Sequence, residues 1–161
     1  MLLKPNVKLN RITDISLQLL NDLNIKALLL DVDNTLSTHH GQDLANGLLD
    51  WITTMQNAGV KLLILSNSKN KRVEPFAKKI GLDYIPLALK PLPFKFFTAF
   101  KKLKIKKRHI ALVGDQLFTD SLGAHLAGIK SVILNPILPE PMLSFRIRRF
   151  FEKQLYKIYK F

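Results

Sequence analysis

The sequence predicts an α/β fold, a parallel sheet with helices on both faces, and three observations predict it. Four short runs are apolar on both faces, as fully buried strands are: "KALLLDV" (26–32), "VKLLILS" (60–66), "HIALVG" (109–114) and "KSVILN" (130–135). Segments with apolar residues at helical spacing alternate with them, several stopped by a glycine. No internal repeat, low-complexity tract or long linker breaks the alternation, so residues 1–161 are expected to form a single domain.

Taken in order, residues 1–24 are expected as an N-terminal helical arm, and the strand over 26–32 follows. A helix is predicted over 45–59, ending at Gly59, and the second strand covers 60–66. The helix over 71–81 contains Pro75, which is tolerated only near a helix start and is therefore expected in its first turn. A short strand is expected within "DYIPLA" (83–88), then a helix over 92–104, the strand over 109–114, a helix over 119–128 and the strand over 130–135. Residues 142–161 read as a basic amphipathic helix. Ile147, Phe150, Phe151, Leu155 and Ile158 fall at helical spacing, and Arg146, Arg148, Arg149, Lys153, Lys157 and Lys160 crowd the remainder. Such a helix either lies at a membrane surface or packs its stripe on its own domain or on a second copy in an oligomer.

The formal net charge of +13 implies attraction to nucleic acid, phospholipid headgroups or phosphorylated substrates; simple solubility is the plainer alternative. The absence of cysteine excludes disulfides, thiol catalysis and zinc–thiolate sites. No apolar run is long enough to cross a bilayer, and "MLLKPNVKLN" lacks the apolar core of a signal peptide, so a cytoplasmic location is expected, membrane-peripheral if the last helix touches lipid. The densest cationic run, "KKLKIKKRH" (101–109), precedes a strand and so belongs at the amino edge of the sheet, as a solvated face or a docking patch.

Chemistry concentrates where the first strand ends. In "LLLDVDNT", Asp31 and Asp33 share a face, so both carboxylates converge just beyond the strand, at the edge where open α/β sheets bind ligands. Two such acids require a metal, a basic partner or a shared proton. An EF-hand loop is excluded because Leu36 and Gln42 stand where glycine and glutamate are needed, and no P-loop motif occurs. An Asp- and Asn-rich turn is the plain alternative. Ser66 ends the second strand in "LSNSKN", Lys90 precedes a helix in "ALKPLP", and "VGDQLFTD" supplies Asp115 at a strand end and Asp120 at a helix start. Singly, these residues have ordinary roles as turn formers, solvated lysines and helix-start charges.

As an ordered set, they resemble the haloacid dehalogenase-like (HAD) phosphohydrolases. "DVDNT" is similar to the first motif of that superfamily, "LSN" to the second, Lys90 to the third and "GDQLFTD" to the fourth. "LLLDVDNTL", "ALKP" and "VGDQLFTD" together resemble the YqeG-type branch of subfamily IIIA, related to mitochondrial phosphatidylglycerophosphate phosphatases. The resemblance implies an HAD-like fold and a phosphoric monoester hydrolase. In it Asp31 is the nucleophile, Asp33 the acid and base, and Thr35 the residue fixing the loop that aims Asp33. Ser66, Asn67 and Lys90 are phosphate-binding. Asp31, Asp33 through its carbonyl, Asp115 and Asp120 are expected around Mg²⁺, which suits an all-oxygen site with few protein ligands.

About 32 residues separate Asp33 from Ser66 and about 23 separate Ser66 from Lys90, too few for an inserted cap domain, since independently folding units need roughly 40. A capless site suits a phosphate displayed on something large, and phosphatidylglycerophosphate is the substrate the branch resemblance suggests. A nucleic-acid end or a small metabolite is the alternative within the enzyme class. From another class, the rival is a nucleic-acid-binding protein that retains the site. His39 and His40 lie on the small "STHHGQD" flap as exposed residues or substrate contacts, and scattered histidines give zinc little support.

Overall fold

In the computed structural model, which describes residues 2–38, 41–139 and 142–160, six parallel strands form one open sheet. They are β1 (Val7–Leu9), β2 (Ala27–Leu30), β3 (Lys61–Leu65), β4 (Tyr84–Ile85), β5 (Ile110–Gly114) and β6 (Lys130–Leu134), in the order β1-β6-β5-β2-β3-β4. The helices are α1 (Leu17–Asp22), α2 (Leu48–Asn57), α3 (Asn70–Ile80), α4 (Phe94–Leu103), α5 (Leu122–Ala127) and α6 (Leu143–Tyr159). His39 and His40, expected on the flap, lie outside the described residues.

The continuous apolar runs become strands covered on both faces. In β2 every residue is buried, and alternation sends Leu28 and Leu30 to one side, Ala27 and Leu29 to the other. Leu28 and Leu30 join a core with α2 and α3, through Trp51, Ile52, Met55, Val73 and Phe76. Ala27 and Leu29 join the opposite core, where Phe96, Ala99 and Leu103 of α4 and Ala124 and Ala127 of α5 cover the sheet. Because all neighbours are parallel and centred on β2, the ends of β2, β3 and β5 open on one edge.

Two expectations need correction. The first 24 residues are only partly helical: Val7–Leu9 pairs in parallel with Val132–Leu134 as an edge strand, and α1 spans six residues. Three residues carry too little periodicity to announce a strand, and the pairing partner lies far along the chain. Pro75 sits in the second turn of α3, which begins at Asn70. It faces solvent, where the carbonyl it leaves without a partner remains open to hydration.

A buried bond ties the turn just before α1 to α2. Trp51 Nε1 of α2 donates to the Ile15 carbonyl at 2.9 Å, with Ile15 itself fully buried. Trp51→Phe keeps most of the apolar contact but strands that carbonyl, and is expected to cost about 1–3 kcal/mol in urea unfolding. A stability unchanged from the parent would show that the bond does not anchor the segment.

Candidate active site

β2 stops at Leu30 and the chain leaves the sheet with Asp31, whose amide donates to the Val113 carbonyl of β5 at 2.9 Å. A tight turn then forms: Asn34 is left-handed, and the amides of Thr35, Leu36 and Ser37 all donate to the Val32 carbonyl. β3 ends at Leu65 and is followed by Ser66, whose main chain bonds Ile85 and Ala88 while its Oγ accepts from the Ser68 amide at 3.2 Å. β5 ends in Gly114, followed by Asp115, and a π-helical turn over Leu117–Ser121 carries Asp120 back beneath it. Gly114 is required there because a Cβ would overlap the Asp120 carboxylate.

Lys90 is the centre of this edge. Its ammonium donates to Asp31 Oδ1 at 2.8 Å and to Asp120 Oδ1 at 2.7 Å, with almost no exposure to solvent. Asn67 pins it from behind: its Oδ1 accepts from the Lys90 amide at 2.7 Å and its Nδ2 donates to the Lys90 carbonyl at 3.1 Å. Asn67, expected to bind phosphate, lines the same depression, and its side chain also positions Lys90. Asp120 Oδ2 accepts from the amides of Asp115 and Gln116, so both its oxygens have partners.

Asp33 points across the same depression and is held by residues the sequence did not single out. Arg72 Nη2 meets Asp33 Oδ1 at 3.0 Å, and Ser68 Oγ donates to Oδ2 at 2.6 Å. Both sit just after β3, on the loop and first turn of α3, and their nearness to "LSN" is the only signal the sequence offers. Thr35 is buried in the turn, and its hydroxyl has no hydrogen-bond partner among the described residues.

The last helix also reaches the site. Arg149 bonds the Asp115 carboxylate through Nη2 and the Asp115 carbonyl through Nη1 at 2.6 Å, and also pairs with Glu152 at 2.9 Å. Glu152, buried, accepts from the Leu117 amide at 2.7 Å, and Arg148 donates to Gln116 at 2.7 Å. α6 thus docks by its polar face. Of the expected stripe, Ile147, Phe150, Phe151 and Ile158 are exposed, and only Leu155 is half-buried.

Three carboxylates, Asp31, Asp115 and Asp120, bring an oxygen each within 4.8 Å of one another. They face two cations, Lys90 and Arg149, and Arg149 is shared with Glu152. Asp115 Oδ1 is buried with no hydrogen-bond partner among the described residues. A buried carboxylate oxygen left without a donor fits a small hard cation, and oxygen-only donors favour Mg²⁺. Burial pushes the Asp31 carboxyl up to about 7, the neighbouring Asp120 adding to the effect and Lys90 opposing it. Asp115 is held well above the usual carboxylate range for the same reason, against the pull of Arg149. Burial would lower the Lys90 ammonium, but the charges of Asp120 and Asp31 outweigh it and move it upward.

The depression over these groups has a volume of about 840 Å³ and is lined by Asp31, Asp33, Ser66 and Lys90, with Lys69, Lys71, Arg72 and Arg148 around it. Among the described residues nothing folds over it as a cap, and each interval between its loops holds one helix with one strand at most.

The sequence profile of the mitochondrial PGP phosphatase family matches residues 1–138. The probable phosphatase YqeG of Bacillus subtilis is 29% identical over 151 residues, covering 94% of this chain and 88% of that protein. Among solved structures, a 4-nitrophenylphosphatase from Thermotoga maritima superposes with a TM-score of 0.60 at 14% identity, covering 74% of this chain and 89% of that one. An HAD superfamily subfamily III A hydrolase from Legionella pneumophila gives 0.51 at 22% identity, covering 62% and 60%. The fold is that of the HAD phosphohydrolases.

A carboxyl whose pKa is raised on folding stabilises the protein while protonated and ceases to do so as pH rises through the folded value. Without divalent cation, the stability of the protein relative to its Asp31→Asn variant is therefore expected to fall as pH rises from near 3.8 through about 7. Melting temperatures of both proteins across that range in a chelator check this; a relative stability that rises with pH would contradict the buried acid.

Proposed function

This chain belongs to the mitochondrial PGP phosphatase family and is a phosphoric monoester hydrolase of the HAD type; from that premise we propose that it is Mg²⁺-dependent, works through an aspartyl-phosphate on Asp31, and acts on phosphatidylglycerophosphate. One observation carries the mechanism: Lys90 bridges Asp31 and Asp120 at the sheet edge while Asp115 leaves an oxygen open beside them.

Asp31 attacks phosphorus in line, forming the acyl-phosphate bond as the ester P–O bond breaks. Asp33 lines the same depression, held by Arg72 and Ser68. It gives its proton to the leaving alkoxide, then takes one from the water that hydrolyses the aspartyl-phosphate. Ser66 and the Lys90 ammonium hold the phosphoryl oxygens, and Lys90 offsets the charge gathering near Asp31. Asn67 acts through Lys90, and Thr35 packs in the turn that carries Asp33. The carboxylates of Asp31 and Asp115 and the Asp33 carbonyl would hold Mg²⁺, with Asp120 supporting them from behind. When bound, the ion neutralises the repulsion between these acids and a phosphate dianion.

The lipid substrate is supported by the family, by the uncapped depression and by its cationic surround. Peripheral contact with a membrane is supported by α6, which turns Ile147, Phe150, Phe151 and Ile158 outward with Arg146, Lys153 and Lys157 beside them. No described helix is long and apolar enough to cross a membrane.

Phosphate release would be measured with and without Mg²⁺ on phosphatidylglycerophosphate in micelles, on small phosphate esters and on phosphorylated oligonucleotides. Turnover is expected to require the metal and to favour the lipid; preference for oligonucleotide ends would move the substrate to nucleic acid. Asp31→Asn is expected to abolish turnover while leaving the circular dichroism unchanged. Undiminished release by that variant would refute the nucleophile.

A further inference from the structure

The loop between β4 and α4 inverts the usual placement of its side chains. In "PLALKPLPF" (86–94), Ala88 is fully buried and Lys90 is 5% exposed, whereas Leu87 is 46%, Leu89 57%, Leu92 48% and Phe94 67% exposed. The charged residue is inside and the large apolar ones are outside. Leu87 and Leu89 also have φ of 49° and 55°, left-handed values that glycine or asparagine adopts readily and leucine does not. Hydrogen bonds hold this conformation: the Leu87 amide donates to Ser68 at 3.0 Å, the Ala88 amide to Ser66 at 2.9 Å, and Asn67 clamps Lys90. Seating the lysine in the site therefore fixes the leucines outward as a ridge.

We propose that this ridge is a membrane-docking element: Leu87, Leu89, Leu92 and Phe94 enter the interface of an anionic bilayer and set the mouth of the active site against the headgroups. The inference rests on the reading that the substrate phosphate is displayed on a lipid, and it names a surface separate from α6. Its position supports it, since Leu87 lines the same depression as Asp31 and Lys90. So does its charge. Lys69, Lys71 and Arg148 line the depression and Lys95 follows Phe94, so apolar side chains are bordered by cations, the complement of an anionic lipid surface. A second copy of the chain is a poorer occupant, because a symmetric contact through this ridge would bring like-charged borders together.

The double variant Leu89→Asn, Phe94→Asp tests the ridge without touching the catalytic groups. Asparagine tolerates the left-handed backbone, and aspartate is favourable at the first residue of α4, so a melting temperature no lower than the parent's is expected. The parent is expected to co-sediment with phosphatidylcholine vesicles containing phosphatidylglycerol, and the variant to lose about tenfold or more of that binding. Its turnover of water-soluble 4-nitrophenyl phosphate should change by less than about twofold. Equal vesicle binding by parent and variant overturns the proposal. So does a parent that ignores vesicles but forms a dimer that the variant dissolves in sedimentation equilibrium. If ridge-dependent vesicle binding persists while phosphatidylglycerophosphate in those vesicles is not hydrolysed, the ridge stands and the substrate reading alone falls.

Discussion

A buried ammonium between two buried carboxylates organises this molecule's working edge. Lys90 comes from the loop after β4, Asp31 from the end of β2 and Asp120 from the turn after β5, and the three meet within 2.8 Å contacts, Lys90 and Asp120 almost wholly shielded from water and Asp31 edging the depression. Ions so deeply placed are costly to desolvate, and removing one partner strands the others, which typically costs about 3–5 kcal/mol. The surrounding geometry serves this requirement. Gly114 leaves space for the Asp120 carboxylate, two amides of the following turn hold its other oxygen, and Asn67 grips the lysine's main chain on both sides.

The same electrostatics explains why a helix so far along the chain is bound up with the site. Asp115 is buried beside two other acids, and Arg149 of α6 supplies a positive charge that Lys90 is not placed to give. Glu152 then balances Arg149 and satisfies the Leu117 amide. The helix is attached through charge and hydrogen bonding, which leaves its apolar stripe facing outward. An amphipathic helix ordinarily buries the apolar face; here the polar face has the more demanding partner.

This inversion separates what the sequence made legible from what it hid. The strands were legible because burial on both faces leaves unbroken apolar runs, Asp31, Ser66 and Asp115 because each immediately follows one, and Asp33 because it shares a face with Asp31. Lys90 and Asp120 were legible from their order in the resemblance, and they do converge on Asp31. The stripe of α6 was read correctly as a pattern, but periodicity says nothing about which face finds a partner. Arg72, Ser68, Arg149 and Glu152 were hidden because each acts on a residue distant in sequence, and in so basic a chain one more arginine carries no signal. Strand β1 was hidden because three half-buried residues on a sheet edge leave almost no pattern. Asn67 stood in the expected motif, and its bonds to the main chain of Lys90 were not legible because that residue lies 23 positions away.

The register of β1 has a consequence for the order in which the fold is completed. Val7 lies opposite Val132, so β1 has no neighbour until β6 has been translated. Over that interval the nascent chain carries an unpaired strand, and the outer side of β5 stays uncovered until β6 arrives to sit between them. Sheets that close through such distant pairings fold slowly and expose sticky edges while they wait. The short, lysine-bearing composition of β1 limits that hazard.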